Sequence, residues 1–134
     1  MNKESNYNFA ERLVVCALAT LLGALVITAA MLLSAALMLY FDLSEGFASP
    51  ISGVCMGIGT FVSGLVAARK IKTGGIVNGS ICGIMIYLLI FVISMIISPS
   101  APTLISLYHG IIALLSSAIG GMIGVNLSSS KKLI

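Results

Sequence analysis

Long apolar runs separated by short polar breaks divide this sequence into four segments. No Asp, Glu, Lys or Arg lies in the middle of any run, and each run approaches or exceeds the roughly 20 residues that a helix needs to cross a bilayer core of about 30 Å. In hydrocarbon the backbone groups must be hydrogen-bonded within the segment, so a helix is the expected state. The pattern predicts an all-α integral membrane bundle of four transmembrane helices, over residues 13–41, 51–68, 75–97 and 104–127.

The composition supports a membrane environment. Of the 134 residues, 59% are hydrophobic and 8% are charged, whereas soluble domains carry about 25% charged residues. So few charges cannot form the polar surface of a soluble fold of this size. Residues 13–127 therefore form one transmembrane domain, between a cytoplasmic N-terminal segment (1–12) and a cytoplasmic tail (128–134).

The first apolar run is longer than the core of a cleaved signal peptide, about 7 to 15 residues, so we expect it to be retained.

The basic residues predict the orientation of the helices. The breaks after the first and third helices contain no Lys or Arg, so all the cations fall on one side of the membrane, which is expected to be the cytoplasmic side. Both termini are then cytoplasmic, and the protein is a multi-pass protein of a bacterial cytoplasmic membrane. The residues that set this topology are Arg12, Arg69, Lys70, Lys72, Lys131 and Lys132, together with Lys3.

A weak internal repeat relates the second and fourth helices. Residues 52–69 align on residues 109–126, with Gly53 on Gly110 and Gly64 on Gly121. A structural repeat of this kind would make the chain two tandem helical hairpins, related by an axis along the membrane normal.

Small residues at intervals of four are the clearest local signal. Residues four apart lie on one helix face, and small side chains on that face let two membrane helices approach closely. We expect these residues to pack helices within the chain; the alternative is that a stripe faces a second protomer or a partner protein. The predicted packing residues are Gly53, Gly57, Gly64, Gly75, Gly79, Gly83, Ser116, Gly120 and Gly124, with a weaker stripe of Thr20, Ala24 and Thr28 in the first helix.

Few residues are available for chemistry. Asn78 and Asn126 lie near the cytoplasmic ends of their helices, and His109 lies near the outer end of the fourth. These three are the candidate polar site; otherwise the amides fix helix register and the histidine belongs to the interface. The cysteines form no zinc or disulfide spacing, and no nucleophile–base pair or phosphate-binding loop is present. We expect no enzyme activity, metal or cofactor, and no nucleic-acid binding, since no basic cluster is present.

Several motifs resemble one known family. They are the run GLVAARK at 64–70, the glycines and asparagine at 74–79, Gly83, Tyr87, and the ending GGMIGVNL at 120–127. In this order they are similar to the YrzE-like small membrane proteins of Gram-positive Firmicutes. The resemblance implies four helices in the bacterial cytoplasmic membrane and a Firmicute origin. It implies no catalytic or binding residues, since that family has no assigned activity.

The sequence favours a non-catalytic accessory or assembly subunit of a membrane complex. Glycine stripes without membrane-embedded charge, and soluble parts too small to act alone, are the basis of this expectation. Its partners are the lipid bilayer and either further copies of itself or another membrane protein. The alternative is a small-solute channel or transporter working as a homo-oligomer, with a pathway lined by Thr60, Ser63, Ser116, Ser117 and Asn126.

Overall fold

Four long helices account for nearly all of the described chain. The computed structural model describes residues 8–72, 74–97, 99 and 104–130. Each helix is long and apolar enough to cross a membrane, so the predicted all-α bundle of four membrane-spanning helices is confirmed. The helices are α1 (Phe9–Phe41), α2 (Ala48–Ile71), α3 (Gly75–Ile97) and α4 (Leu104–Ser130), with a 3-10 turn at Glu45–Phe47 before α2.

Three of the helices extend beyond the apolar runs that predicted them. The helix α1 already includes Glu11 and Arg12, and α2 continues through Arg69 and Lys70 to Ile71. Helical hydrogen bonding does not stop where hydrocarbon ends, because polar side chains at a helix end reach the headgroup region. Pro50 is accommodated in the first turn of α2, where its missing N–H breaks no helical bond.

A tight turn joins α2 to α3. Lys72 adopts a left-handed conformation with φ of 61°, and its backbone N–H donates to the carbonyl of Ala68. Gly74 follows with φ of 59°. Such residues end a helix by bonding its last free carbonyls, so α3 can return directly beside α2.

The four helices form a rhombus in which α2 and α3 are the short diagonal. Among the described residues α2 contacts the other three helices, α3 does the same, and α1 and α4 do not contact each other. In the most apolar stretch of α2, 50% of the residues are buried, against 17–28% in the corresponding stretches of the other three helices. The helix α2 is therefore the centre of the bundle.

This arrangement corrects the expected twofold relation between the two hairpins. An axis that exchanged them would make the α1–α4 contact equivalent to the α2–α3 contact, but only the second exists. Instead α2 and α4 pack side by side and parallel, so that Gly57 lies near Ser116 and Gly120 lies near Phe61. The sequence similarity of α2 and α4 therefore marks two parallel neighbours with similar small-residue spacing.

Candidate functional site: the glycine contacts and buried polar groups

The glycines of α3 face α4 of the same chain. A Cβ built on Gly75 would overlap the carbonyl oxygen of Gly121, and one on Gly79 would overlap that of Ser117. At Gly83 a Cβ would lie 3.0 Å from the carbonyl oxygen of Ala113. The whole stripe is thus occupied by an antiparallel neighbour within the bundle.

The contact between α2 and α4 is equally close. A Cβ on Gly64 would overlap the carbonyl oxygen of Ser117, and one on Gly124 would lie 2.5 Å from the carbonyl oxygen of Leu65. Gly120 lies in the same way against the backbone of Phe61. The stripes are therefore used inside the chain, as the first of the two sequence interpretations expects.

Two of the predicted packing glycines make looser contacts. Around Gly53 the nearest atoms to a built Cβ are 3.7 Å away, and around Gly57 the nearest is the Ser116 hydroxyl at 3.4 Å. These are ordinary van der Waals distances to side chains. Close backbone approach therefore begins deeper in the bundle, and these two positions do not require glycine. Ser116 itself is half-buried.

The tightest contact of α1 involves glycines that the sequence interpretation missed. Gly23 lies against Gly59 and Ser63, and Gly59 lies beneath the side chain of Ile27. A small-residue spacing in α2 (Cys55, Gly59, Ser63, Ala67) is the signal that could have identified Gly59. The expected stripe of α1 is wrong at its outer end: Thr20 is buried, but Thr28 is exposed. Packing of Gly23 on Gly59 rotates α1 so that its contact face follows Cys16, Ala19, Thr20, Gly23 and Ile27.

Hydroxyl groups in the interior are held at these same contacts. Ser117 Oγ donates to the carbonyl oxygen of Gly79 across the α3–α4 contact at 2.5 Å. Thr60 Oγ1 donates to the carbonyl of Met56 at 2.9 Å within its own helix. Ser63 Oγ lies near the Cys82 thiol but makes no hydrogen bond of acceptable geometry. All three hydroxyl side chains are fully buried.

In the described helices, the residues expected to line a pathway do not share one environment. Ser63 and Ser117 lie at close helix contacts, and Thr60 is buried and hydrogen-bonded within α2. Ser116 is half-buried and Asn126 is exposed.

The candidate polar site is not assembled. Asn78 is buried in the first turns of α3, whereas Asn126 is exposed. His109 lies at the opposite end of α4 from Asn126, 17 residues or about 25 Å away at 1.5 Å per residue. His109 is therefore separate from the two asparagines, and Asn78 differs from Asn126 in burial.

His109 is instead the centre of a small polar cluster where α2 and α4 begin. Its Nε2 lies 3.2 Å from Ser52 Oγ, and its Nδ1 lies 2.8 Å from the carbonyl oxygen of Ile105. Ser52 Oγ also donates to the carbonyl oxygen of Ser49 at 2.8 Å. The Tyr108 ring lies edge-on to the imidazole, with ring centroids 5.9 Å apart.

Charged residues in the described part of the chain lie at the two ends of the bundle. Arg12 is at the start of α1, and Arg69, Lys70 and Lys72 are exposed where α2 ends. Asp42 and Glu45 lie at the opposite end, between α1 and α2. Lys3, Lys131 and Lys132 lie outside the described residues. No group of three or more His, Cys, Asp or Glu within the described ranges could hold a metal ion.

A comparison with known protein families identifies the family of this chain. The model of the family described as "Protein of unknown function (DUF3792)" matches residues 12–124. The chain belongs to the DUF3792 family. The matched residues of this DUF3792 protein run from the first turns of α1 into α4 and include every glycine that makes a close contact. No curated protein and no solved structure matches the chain. The basis for a proposal of function is therefore the packing of the helices and the exposure of their surfaces.

Proposed function

We propose that this DUF3792 protein is a non-catalytic accessory or assembly subunit that binds another membrane protein through α1. It resides in the cytoplasmic membrane of a bacterium with both termini in the cytoplasm, because the basic residues within the described ranges share one end of the bundle. The kinship with YrzE-like proteins of Firmicutes is part of this proposal and is supported by the sequence motifs.

The observation that carries the proposal is the outer segment of α1, residues 28–41. The helix α1 has 33 residues and α3 has 23, or about 50 Å against about 35 Å. No residue of α1 beyond Ile27 is buried. Only the edge formed by Ala30, Ser34 and Met38 is half-buried; the remainder of the outer segment is free of contacts that bury it.

The exposed side of this segment has the pattern of a helix-packing surface. Small and large residues alternate at spacings of four, three and four, which is the spacing of a seam between two helices. Lipid chains provide no hydrophobic drive for helix association, so membrane interfaces depend on small residues that let backbones approach. The exposed residues with this spacing are Thr28, Leu32, Ala35 and Leu39, flanked by Ala29 and Ala36.

Two features support this role over transport and catalysis. A transport pathway needs polar groups facing an open route, but Thr60, Ser63 and Ser117 are buried at helix contacts. An active site needs a general base with a nucleophile and a group that stabilises charge. The one histidine of the chain is hydrogen-bonded only to a serine hydroxyl and a carbonyl.

Photo-crosslinking in intact cells tests the proposal. A benzophenone amino acid is introduced at Ala35 on the exposed seam and, as the matched control, at Val92, an exposed residue in the outer half of α3. We expect a discrete adduct with a different membrane protein from position 35 and none from position 92. Adducts of the chain with itself would instead favour the homo-oligomeric channel or transporter. Equal labelling of lipid alone at both positions would overturn the proposal.

A further inference from the structure

The cluster around His109 contains one more hydrogen bond than a neutral His109 and Ser52 together can supply. Three contacts are present: His109 Nδ1 with the Ile105 carbonyl, His109 Nε2 with Ser52 Oγ, and Ser52 Oγ with the Ser49 carbonyl. Both carbonyl oxygens can only accept. Each of the three contacts needs its own hydrogen.

Counting the hydrogens gives the protonation state that satisfies the cluster. Neutral imidazole has one N–H, and a serine hydroxyl has one O–H. With Nδ1–H directed at Ile105, the single Ser52 hydrogen must choose between Ser49 and His109 Nε2. In the imidazolium form both ring nitrogens donate, so Nε2–H donates to Ser52 Oγ while Ser52 still donates to Ser49.

We infer that His109 and Ser52 form a proton-binding site that controls the contact between the first turns of α2 and α4. When His109 is protonated, the bond between the helices is charge-assisted, which strengthens a hydrogen bond. When His109 is neutral, the same bond competes with the local bond of Ser52 to Ser49. The outer ends of α2 and α4 are then held together less tightly.

The surroundings of the imidazole suit a site that gains and loses a proton. Two tyrosines are the nearby titratable groups: Tyr108 is edge-on to His109, and Tyr87 of α3 lies against Gly110. The carboxylates of Asp42 and Glu45 precede α2, and within the described residues neither makes an ion pair with His109. No Asp, Glu, Lys or Arg occurs in the part of α2 that faces it, between Ala48 and Val66. No fixed ion pair therefore locks the histidine in its charged form.

The backbone beneath the ring leaves room for this bond. A Cβ built on Gly53 would lie 3.8 Å from His109 Nε2 and 3.9 Å from the Tyr108 ring. The imidazole thus lies across the start of α2 and reaches Ser52 from α4. His109 is half-buried, so part of the residue is open to the surroundings of the bundle.

Nitrogen NMR of the imidazole tests the hydrogen count directly. The chain contains one histidine, so ¹⁵N-histidine labelling of protein purified with a histidine-free tag reports His109 alone. Across a pH series, we expect two protonated ring nitrogens in the charged form and the Nδ1–H tautomer in the neutral form. A neutral form protonated at Nε2 would contradict the hydrogen count.

A distance measurement tests the control of helix contact. Nitroxide labels on cysteines introduced at Ala48 and Leu104, both exposed, report the separation of the two helix starts; the three native cysteines are buried. We expect the distance distribution to broaden as His109 loses its proton.

Variants identify the bond responsible for that change. In Ser52→Ala and His109→Gln the distance distribution should be equally broad at low and high pH, so the pH effect is lost. In Ser52→Thr, which keeps the hydroxyl, the pH effect should return. The matched control is Ser106→Ala, which removes a hydroxyl that lies 3.5 Å from Tyr87 Oη at the same end of α4. Its distribution should follow the wild type. A pH effect that survives in Ser52→Ala, or no pH effect in the wild-type protein, would overturn the inference.

Discussion

At the residue scale, the bundle is held where a glycine Cα meets a backbone carbonyl of the next helix. Gly64 and Gly79 both face the carbonyl of Ser117, Gly120 faces that of Phe61, and Gly75 and Gly121 face each other. Contacts between Cα–H groups and carbonyl oxygens recur at helix interfaces and add to the dispersion energy of close packing. In lipid there is no hydrophobic driving force that brings helices together. These short contacts therefore carry much of the specificity of the fold.

Adding one methyl group at a close contact should destabilise the bundle. Gly64→Ala places a Cβ on the Ser117 carbonyl, and backbone cannot move aside as a flexible side chain can; overpacking of this kind costs about 1–3 kcal/mol. The matched control is Gly53→Ala, where the new Cβ meets side chains at ordinary distance. Unfolding by SDS in lipid bicelles measures both. Equal stability of the two variants would show that the α2–α4 contact is looser than described.

Two buried serines should respond in opposite ways to the same substitution. Ser117→Ala removes the bond to the Gly79 carbonyl, and bonds between membrane helices are worth about 0.6 kcal/mol on average and up to about 1.7. Ser63→Ala removes a buried hydroxyl that makes no hydrogen bond, which is neutral or stabilising because no partner is left unsatisfied. The same SDS titration compares them, and a larger loss for Ser63→Ala would contradict this assignment of partners.

At the element scale, α2 is central because it carries small or weakly polar residues on several faces. Gly59 and Ser63 face α1, while Gly64 faces α4. A helix with large side chains all round could not approach three neighbours closely. The apolar length that predicts a membrane helix therefore does not tell a central helix from a peripheral one.

The contact of α1 with α3 predicts an internal disulfide on oxidation. Cys16 on α1 and Cys82 on α3 lie in one buried cluster with Ala19, Ala67 and Ile71, with their thiols close enough to interact. Treatment with the membrane-permeable oxidant iodine should remove two hydrogens and join these thiols. Intact-protein mass and loss of alkylation after unfolding measure the product.

Variants that each lack one cysteine identify the two residues joined by that disulfide. Cys55→Ala should leave its yield unchanged, because the Cys55 thiol contacts Ser34 instead, at 3.9 Å. Cys16→Ala should abolish it. Disulfide formation through Cys55, or between two chains in the wild type, would contradict the packing of α1 on α3.

At the scale of the whole molecule, charge and helix direction together predict how the bundle sits in the membrane. The cations of the described residues lie where α1 begins and α2 ends, and the two carboxylates of Asp42 and Glu45 lie at the other end. Basic residues favour the cytoplasmic face and are attracted to anionic lipid by about 1 kcal/mol each. The proposed orientation therefore puts the His109 cluster at the outer face.

Cysteine labelling in whole cells tests this orientation. The native cysteines are buried, so we expect an impermeant maleimide to react with them poorly and to report introduced sites. Gly46→Cys, in an open position of the turn before α2, should react in intact cells. Ser129→Cys, exposed at the end of α4, should react only after the cells are lysed. The reverse order would invert the orientation and place His109 on the cytoplasmic side.

The sequence by itself determined the number of helices and their membrane-spanning length and apolar character, and it predicts the direction of the chain through the membrane. These properties are local, because runs of apolar residues and the charges between them are read without knowing which helix touches which. The small-residue spacing of α3 likewise predicted a packing face, and its glycines lie against α4.

Only the tertiary structure decided how each helix is rotated and which helices meet. In a membrane the lipid-facing and helix-facing sides are both apolar, so hydropathy carries no signal for rotation. For this reason Thr28 is exposed while Gly23 is buried, and Asn78 is buried while Asn126 is exposed. The bond between Ser52 and His109, which are 57 residues apart, exists because α2 and α4 are parallel neighbours. Whether α2 and α4 become neighbours depends on how closely their backbones fit together at the glycine contacts.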